Sequence, residues 1–128
     1  MAISKLTHVT IIVKDQDEAL AWYRDNLGFE VVTDDSETMP GNRWLTMRPQ
    51  GQDDMEIVLF QARDEREKSW VGQGTLWVLA TDDCARTCDE LAAKGVNILS
   101  PAQQRPWAVM ATFEDLYGNP FNLMQVTA

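Results

Sequence analysis

The fold prediction rests on the stretch HVTIIVKDQDEALAWYRDNLGFEVV, residues 8–32. Its first residues alternate between the two sides of an extended chain, which is typical of a β-strand with one buried face. Asp15 then offers a helix cap, and apolar side chains recur at helical spacing across residues 19–27. Gly28 ends the predicted helix, and an extended run, residues 29–32, follows it. The stretch therefore predicts a strand, a helix and a second strand in succession.

The same order of elements is predicted twice along the chain. In the first half, two more strands, 43–48 and 55–60, lie on either side of a turn-forming Pro-Gln-Gly. A helix capped by Asp82 or Asp83 and stopped by Gly95 belongs to the second half. The strands of that half are predicted at residues 76–80, 96–99, 107–113 and 121–126. The chain therefore predicts an α+β fold that is built from two βαβββ modules.

The predicted modules cover residues 1–62 and 74–128, and a linker, residues 63–73, joins them. Six consecutive charged residues open this linker, which favours a solvated segment.

The first and last strands of each module carry matched positions. His8 precedes Glu56 by 48 positions, and Leu76 precedes Asn122 by 46. Because the two spacings nearly agree, we expect His8 to face Glu56 and Leu76 to face Asn122. Each pair is predicted to lie on the sheet face opposite the helix.

Composition limits the class of partner. The 128 residues suit one domain, and 11 basic against 20 acidic side chains give a net charge of −9. That charge repels phosphate backbones and anionic lipid, so neither nucleic acid nor a membrane is an expected partner. We expect a neutral or cationic small molecule instead. Cys84 and Cys88 match no metal or disulfide pattern, so we expect reduced, half-buried thiols in a cytoplasmic protein.

On these residues the chain resembles the vicinal oxygen chelate superfamily, also called the glyoxalase/bleomycin-resistance/dioxygenase group. The resemblance rests on LTHVTIIV at 6–13, AWYRDNLGF at 21–29, MEIVL at 55–59 and FEDLYGNPFNL at 113–123. It covers essentially the whole chain. It implies paired βαβββ modules whose curved mixed sheets surround a shared cleft, with the modules paired within one chain or across a homodimer.

The resemblance also implies a metal site. Metal-dependent members of the superfamily hold a divalent ion through the first and last strands of each module, which here places ligands at His8 and Glu56. The second module departs from that pattern, because leucine at Leu76 cannot bind a metal and Asn122 is expected only as a weak third ligand through an uncharged oxygen. We therefore expect either a weakly held Mg, Mn, Ni or Zn ion or no metal. A single histidine also rules out a two-His, one-carboxylate triad within the chain.

Two functions stay open at this point. One is a metal-assisted lyase or isomerase in which Glu56 is a metal ligand and also moves a proton. The other is a non-catalytic protein that sequesters a small molecule or antibiotic, with Trp44 and Trp107 lining the cleft. The negative charge and the tryptophans would then favour a cationic aromatic guest. In the simplest alternative, His8 is an ordinary hydrogen-bonded histidine and Glu56 an exposed strand carboxylate.

Overall fold

The chain forms two compact units that divide between residues 71 and 72. The computed structural model describes residues 2–126. The elements in chain order are β1 (His8–Val13), α1 (Gln16–Leu27), β2 (Glu30–Asp35), β3 (Trp44–Arg48), β4 (Glu56–Gln61), α2 (Glu65–Lys68), β5 (Trp77–Ala80), α3 (Cys84–Ala93), β6 (Ile98–Gln104), β7 (Ala108–Glu114) and β8 (Pro120–Val126). The α+β prediction of two repeated βαβββ patterns is confirmed.

The first unit contains a four-stranded mixed sheet in the order β1-β4-β3-β2. β1 runs parallel to β4, and β3 runs antiparallel to both of its neighbours. Ile11 and Val13 are buried, whereas Ile12 between them is half-buried and Thr10 before them is exposed, so one face of the sheet forms the core. From α1, Tyr23 is also buried and stacks on Phe29 at a ring distance of 5.8 Å.

The second unit repeats this arrangement with the order β5-β8-β7-β6. β5 runs parallel to β8, and Phe113 and Phe121 stack in the core with ring centroids 5.5 Å apart. Cys84 and Cys88 are free thiols that are buried on α3, more completely than the half-buried position expected. Burial raises the pKa of the Cys84 thiol to about 11, so it stays protonated at neutral pH.

Both long helices begin at the predicted caps. Asp15 accepts a hydrogen bond from the backbone N–H of Glu18 at 2.9 Å, and Asp83 accepts one from Arg86 at 3.0 Å. α1 ends at Gly28, whose φ of 70° is the left-handed conformation that glycine adopts without strain. These local signals fixed both helix starts within one residue.

Two segments differ from the prediction. β6 continues through Pro101 to Gln104, beyond the expected end of the strand at residue 99. The expected solvated linker contains α2, and Glu67 of that helix is buried because Arg63 holds its carboxylate. No helix within residues 2–126 has the length and apolar character needed to cross a membrane.

Candidate functional site

Three predicted site residues lie on one face of the first sheet. His8 begins β1 and Glu56 begins β4, and the two are direct partners in the parallel register. Trp44 begins β3, on the other side of β4. Val58 follows Glu56 by two positions and therefore lies on the same face. We call this surface the His8 face.

The imidazole and the carboxylate on the His8 face are held by neighbouring hydroxyls. Nε2 of His8 lies 3.7 Å from Oε2 of Glu56. The hydroxyl of Thr46 donates a hydrogen bond to Oε1 of Glu56 at 2.7 Å, and the hydroxyl of Thr7 lies 2.8 Å from Nδ1 of His8. The side chains of His8 and Glu56 are 37% and 29% exposed, so an incoming ligand can reach both.

Trp44 extends this site across the sheet. Its ring centroid lies 5.8 Å from that of His8, with 55° between the planes. Because β4 lies between β1 and β3, this ring contact spans β4. Thr46 and Val58 are almost fully buried on the same face, whereas Trp44 itself stays 40% exposed. The result is an accessible aromatic surface with a carboxylate beside it, on the sheet face that also carries the buried Thr46 and Val58.

The remaining predicted residues lie in the second unit. The side-chain oxygen of Asn122 accepts a hydrogen bond from the hydroxyl of Thr112 at 2.9 Å. Leu76 is 62% exposed with a φ of 50°, and its backbone N–H donates to the carbonyl of Pro120 at 2.8 Å. Trp107 precedes β7 and is 57% exposed. A role of Trp107 or Asn122 towards a ligand stays a prediction.

The predicted pairing of Leu76 with Asn122 is wrong by two residues. The neighbour of Asn122 on β5 is Val78, and Leu76 lies opposite Pro120. The connection from β7 to β8, residues 115–119, is shorter than that from β3 to β4, residues 49–55. Counting along the sequence does not detect this difference, so it misplaces the second pair.

An equivalent hydrogen bond in the two modules fixes the correct correspondence. The first N–H of α1, from Gln16, donates to the side-chain oxygen of Gln61 at 3.1 Å. The first N–H of α3 donates to the side-chain oxygen of Gln125 at 2.8 Å. Gln125 is therefore the counterpart of Gln61. Five residues before each of them stand Pro120 and Glu56, so proline occupies the position equivalent to Glu56.

This correspondence decides how well the side chains fit a metal ion. The second module offers Leu76 and Pro120 at the positions that His8 and Glu56 occupy in the first, and neither side chain can be a ligand. Asn122 corresponds to Val58, and its oxygen is already used by Thr112. No three His, Cys, Asp or Glu side chains cluster within residues 2–126. The donor set of one imidazole and one carboxylate does not fit the four-ligand site that the family resemblance implies.

Thr46 was not predicted as a site residue. Its position two residues after Trp44 places it on the same face of β3 by simple alternation, and that signal could have identified it. Its effect is to fix the orientation of the Glu56 carboxylate, because its hydroxyl is fully buried against that group.

Comparisons with known proteins agree with this architecture. Residues 5–123 match the family model described as Glyoxalase/Bleomycin resistance protein/Dioxygenase superfamily. The crystal structure of UcmS2 is 33% identical, with a TM-score of 0.85, and the match covers 95% of this chain and 98% of that one. TnmS3, described as an antibiotic binding protein from Streptomyces sp. CB03234, is 30% identical, with a TM-score of 0.83 and 99% of both chains covered.

A curated relative extends the similarity to another genus. YurT of Bacillus subtilis (strain 168), itself described as an uncharacterized protein, is 30% identical over 129 residues. That match covers 94% of this chain and 98% of the relative. The protein therefore belongs to the Glyoxalase/Bleomycin resistance protein/Dioxygenase superfamily.

Proposed function

We propose that this protein is a non-catalytic binding protein that sequesters a planar, positively charged aromatic molecule on the His8 face. The observation that carries the proposal is the contact between the rings of His8 and Trp44 across β4, with the Glu56 carboxylate next to it. An exposed indole offers a stacking surface and attracts a cation through the negative face of its ring.

The carboxylate of Glu56 suits the same ligand. Thr46 holds one of its oxygens, so the group can accept a hydrogen bond from the ligand with little further ordering. A positive charge on the ligand would pair with this carboxylate. The net charge of −9 adds a long-range attraction for a cation.

The similarity to TnmS3 supports sequestration rather than turnover. That protein is described as binding an antibiotic, and its match with this chain covers 99% of both. The second module supports the same choice, because Leu76 and Pro120 supply no donor for metal chemistry at the positions equivalent to His8 and Glu56.

The proposal is tested by calorimetry with proflavine, a planar cationic acridine, beside uncharged acridone and a panel of cationic aromatic antibiotics. We expect proflavine to bind more tightly than acridone. Trp44→Leu should weaken proflavine binding by about tenfold or more, which corresponds to the loss of about 1.4 kcal/mol in stacking. Trp70→Leu is the matched control. Trp70 follows α2 and is similarly exposed, but its ring contacts Arg66 of that helix and not His8. Equal affinities for the two variants, or no binding by any compound of the panel, would refute the proposal.

A metal-assisted lyase or isomerase is the second proposal, favoured by the 3.7 Å approach of His8 to Glu56. It requires a Mg, Mn, Ni or Zn ion that is weakly held by these two side chains, with Glu56 also moving a proton. Metal analysis of the purified protein and its melting temperature with and without a chelator test it. A melting temperature that rises with added metal in the wild type, but not in His8→Ala, would support this function. A wild-type melting temperature that is the same with and without added metal would refute the metal-assisted function.

We also propose that the protein acts as a homodimer in the cytoplasm. Two unpaired thiols on α3 suit a reducing compartment, and the superfamily resemblance includes modules that pair across two chains. Light scattering should then give twice the 14.5 kDa mass of one chain. A mass of one chain at micromolar concentration would contradict the dimer.

A further inference from the structure

A second concave site lies in the first unit, at the far end of β4 from Glu56. It is a pocket of about 240 Å³ between the start of α1, the β2–β3 connection and the end of β4. Phe60, which lines it, is four residues beyond Glu56 on the same strand face, roughly 13 Å away along β4. The pocket is therefore separate from the pair of His8 and Glu56.

The pocket combines an aromatic wall with uncommitted polar groups. The guanidinium of Arg63 lies over the ring of Phe60, 5.0 Å from its centroid. Ser36 and Asn42 also line the pocket; both are exposed, and their side chains bond to no other residue in the described part of the chain. Gly41 between them has a φ of 84°, the left-handed turn conformation. These groups leave hydroxyl and amide hydrogen-bonding capacity next to an apolar ring.

Both arginines at the pocket are already neutralised. Arg43 donates two hydrogen bonds to Asp34, at 2.8 and 2.9 Å, and a third to Asp17 at 2.7 Å. These carboxylates raise the pKa of Arg43 further above its ordinary value. Arg63 is bound in the same way by Glu67, at 2.6 Å. Three carboxylates against two guanidiniums leave no net positive charge, so an anionic ligand would gain little here.

Part of the pocket lining is specific to the first module, although Gln61 has its counterpart in Gln125. The correspondence between the two modules places Cys84 at the position of Gln16, Val109 at that of Arg43 and Met124 at that of Phe60. The second module folds with these apolar residues. The polar side chains of Gln16 and Arg43 are therefore not required for the fold of a module.

We propose that this pocket binds a neutral six-membered sugar ring, either as a free glycoside or as the glycosyl group of a larger aromatic ligand. A pyranose has apolar C–H faces that can pack on Phe60 and hydroxyls that can exchange hydrogen bonds with Ser36 and Asn42. Its lack of charge suits a pocket whose ion pairs are complete. The volume is below the roughly 300–1,000 Å³ of pockets for drug-sized molecules, so it suits a single ring.

The test is an NMR titration of the full-length, ¹⁵N-labelled protein with methyl β-D-glucopyranoside. We expect the side-chain amide of Asn42 and the backbone amide of Gly41 to shift, with a dissociation constant on the order of 1 mM for a ligand of this size. Inorganic phosphate serves as the anionic control ligand and should leave both signals unshifted. An aromatic arm, phenyl β-D-glucopyranoside, distinguishes a free sugar from a glycosyl group, because only the second predicts tighter binding of the phenyl glycoside.

Variants separate this site from general surface binding. Phe60→Leu keeps an apolar side chain on β4 but removes the ring, and Asn42→Ala removes the exposed amide; each should weaken glucoside binding by about fivefold or more. Gln52→Ala, which removes another exposed amide in the first unit, should have no effect. The inference would be overturned if phosphate shifted these signals or if both variants bound the glucoside with unchanged affinity. It would also be overturned if no signal shifted at a glucoside concentration of about 50 times the expected dissociation constant. Because proflavine reports on Trp44, loss of proflavine binding alone would refute only the proposed function.

Discussion

Glu67 shows how one carboxylate can order a strongly charged segment. Its oxygens accept hydrogen bonds from the backbone N–H of Arg63 at 2.8 Å and from the guanidinium of the same residue at 2.6 Å. Asp64 caps the helix by accepting the N–H of Glu67 at 2.8 Å. Hydrogen bonds from Arg63 lower the pKa of Glu67 to about 2, from an ordinary 4.5. Six charges in sequence therefore build a short helix here rather than a solvated linker.

This ion pair predicts a pH-dependent contribution to stability. A carboxylate whose pKa is lowered by folding stabilises the native state above its unfolded pKa, and this contribution is lost as the pH falls towards the folded value. Wild type should therefore exceed Glu67→Gln in free energy of unfolding at pH 7. The difference should shrink between about pH 4.5 and about pH 2. Urea denaturation across this range measures it.

The control for that experiment is Glu65→Gln. Glu65 is 91% exposed and pairs with Lys68 at 3.3 Å, so its removal should change stability little at any pH. A difference between wild type and Glu67→Gln that stays constant from pH 7 to pH 2 would contradict the assigned ion pair.

At the scale of elements, the turn between β7 and β8 anchors the segment that leads into β5. Oδ1 of Asp115 accepts the N–H groups of Tyr117 and Asn119, both at 2.8 Å. Oδ1 of Asn119 in turn accepts the N–H of Gly74 at 3.1 Å. Gly72 passes so close to the turn that a Cβ on it would collide with the carbonyl oxygen of Tyr117.

Gly72→Ala should therefore destabilise the protein by about 3 kcal/mol, from a positive φ and a backbone clash together. Gly51→Ala is the matched control, because Gly51 has a φ of 86° but nothing within 4 Å of the added methyl. It should cost only about 1 kcal/mol. Urea denaturation of both variants measures the two costs, and equal values would show that the turn moves aside.

How far the sequence determines an element depends on how local its signals are. The helix caps at Asp15 and Asp83 and the strand alternation around Ile11 lie within a few residues of what they specify, so these elements were predictable. The position opposite Leu76 depends on the length of a distant connection, and two residues fewer there replace Asn122 by Pro120. The register between β5 and β8 therefore became known only from the three-dimensional structure.

The candidate site divides in the same way. His8, Glu56 and Trp44 could be placed on one sheet face, because alternation assigns each side chain to a face. The ring contact across β4 was not predictable, because it depends on how far the indole extends over the strand between them. The pocket that Phe60 lines could not be predicted from the sequence either. Its walls come from a helix start, a connection and a strand end that only the fold brings together.

At the scale of the whole molecule, the net charge of −9 sets how a charged ligand arrives. The acidic surface attracts a cation over a distance that the surrounding salt limits, about 30 Å at 0.01 M and about 8 Å at 0.15 M ionic strength. We therefore expect the association rate of proflavine to fall severalfold between these salt concentrations in stopped-flow experiments. Its dissociation rate should change less, because contacts with Trp44 are short-range. Uncharged acridone should associate at the same rate at both salt concentrations; a salt dependence like that of proflavine would mean that the field of the protein does not guide the ligand.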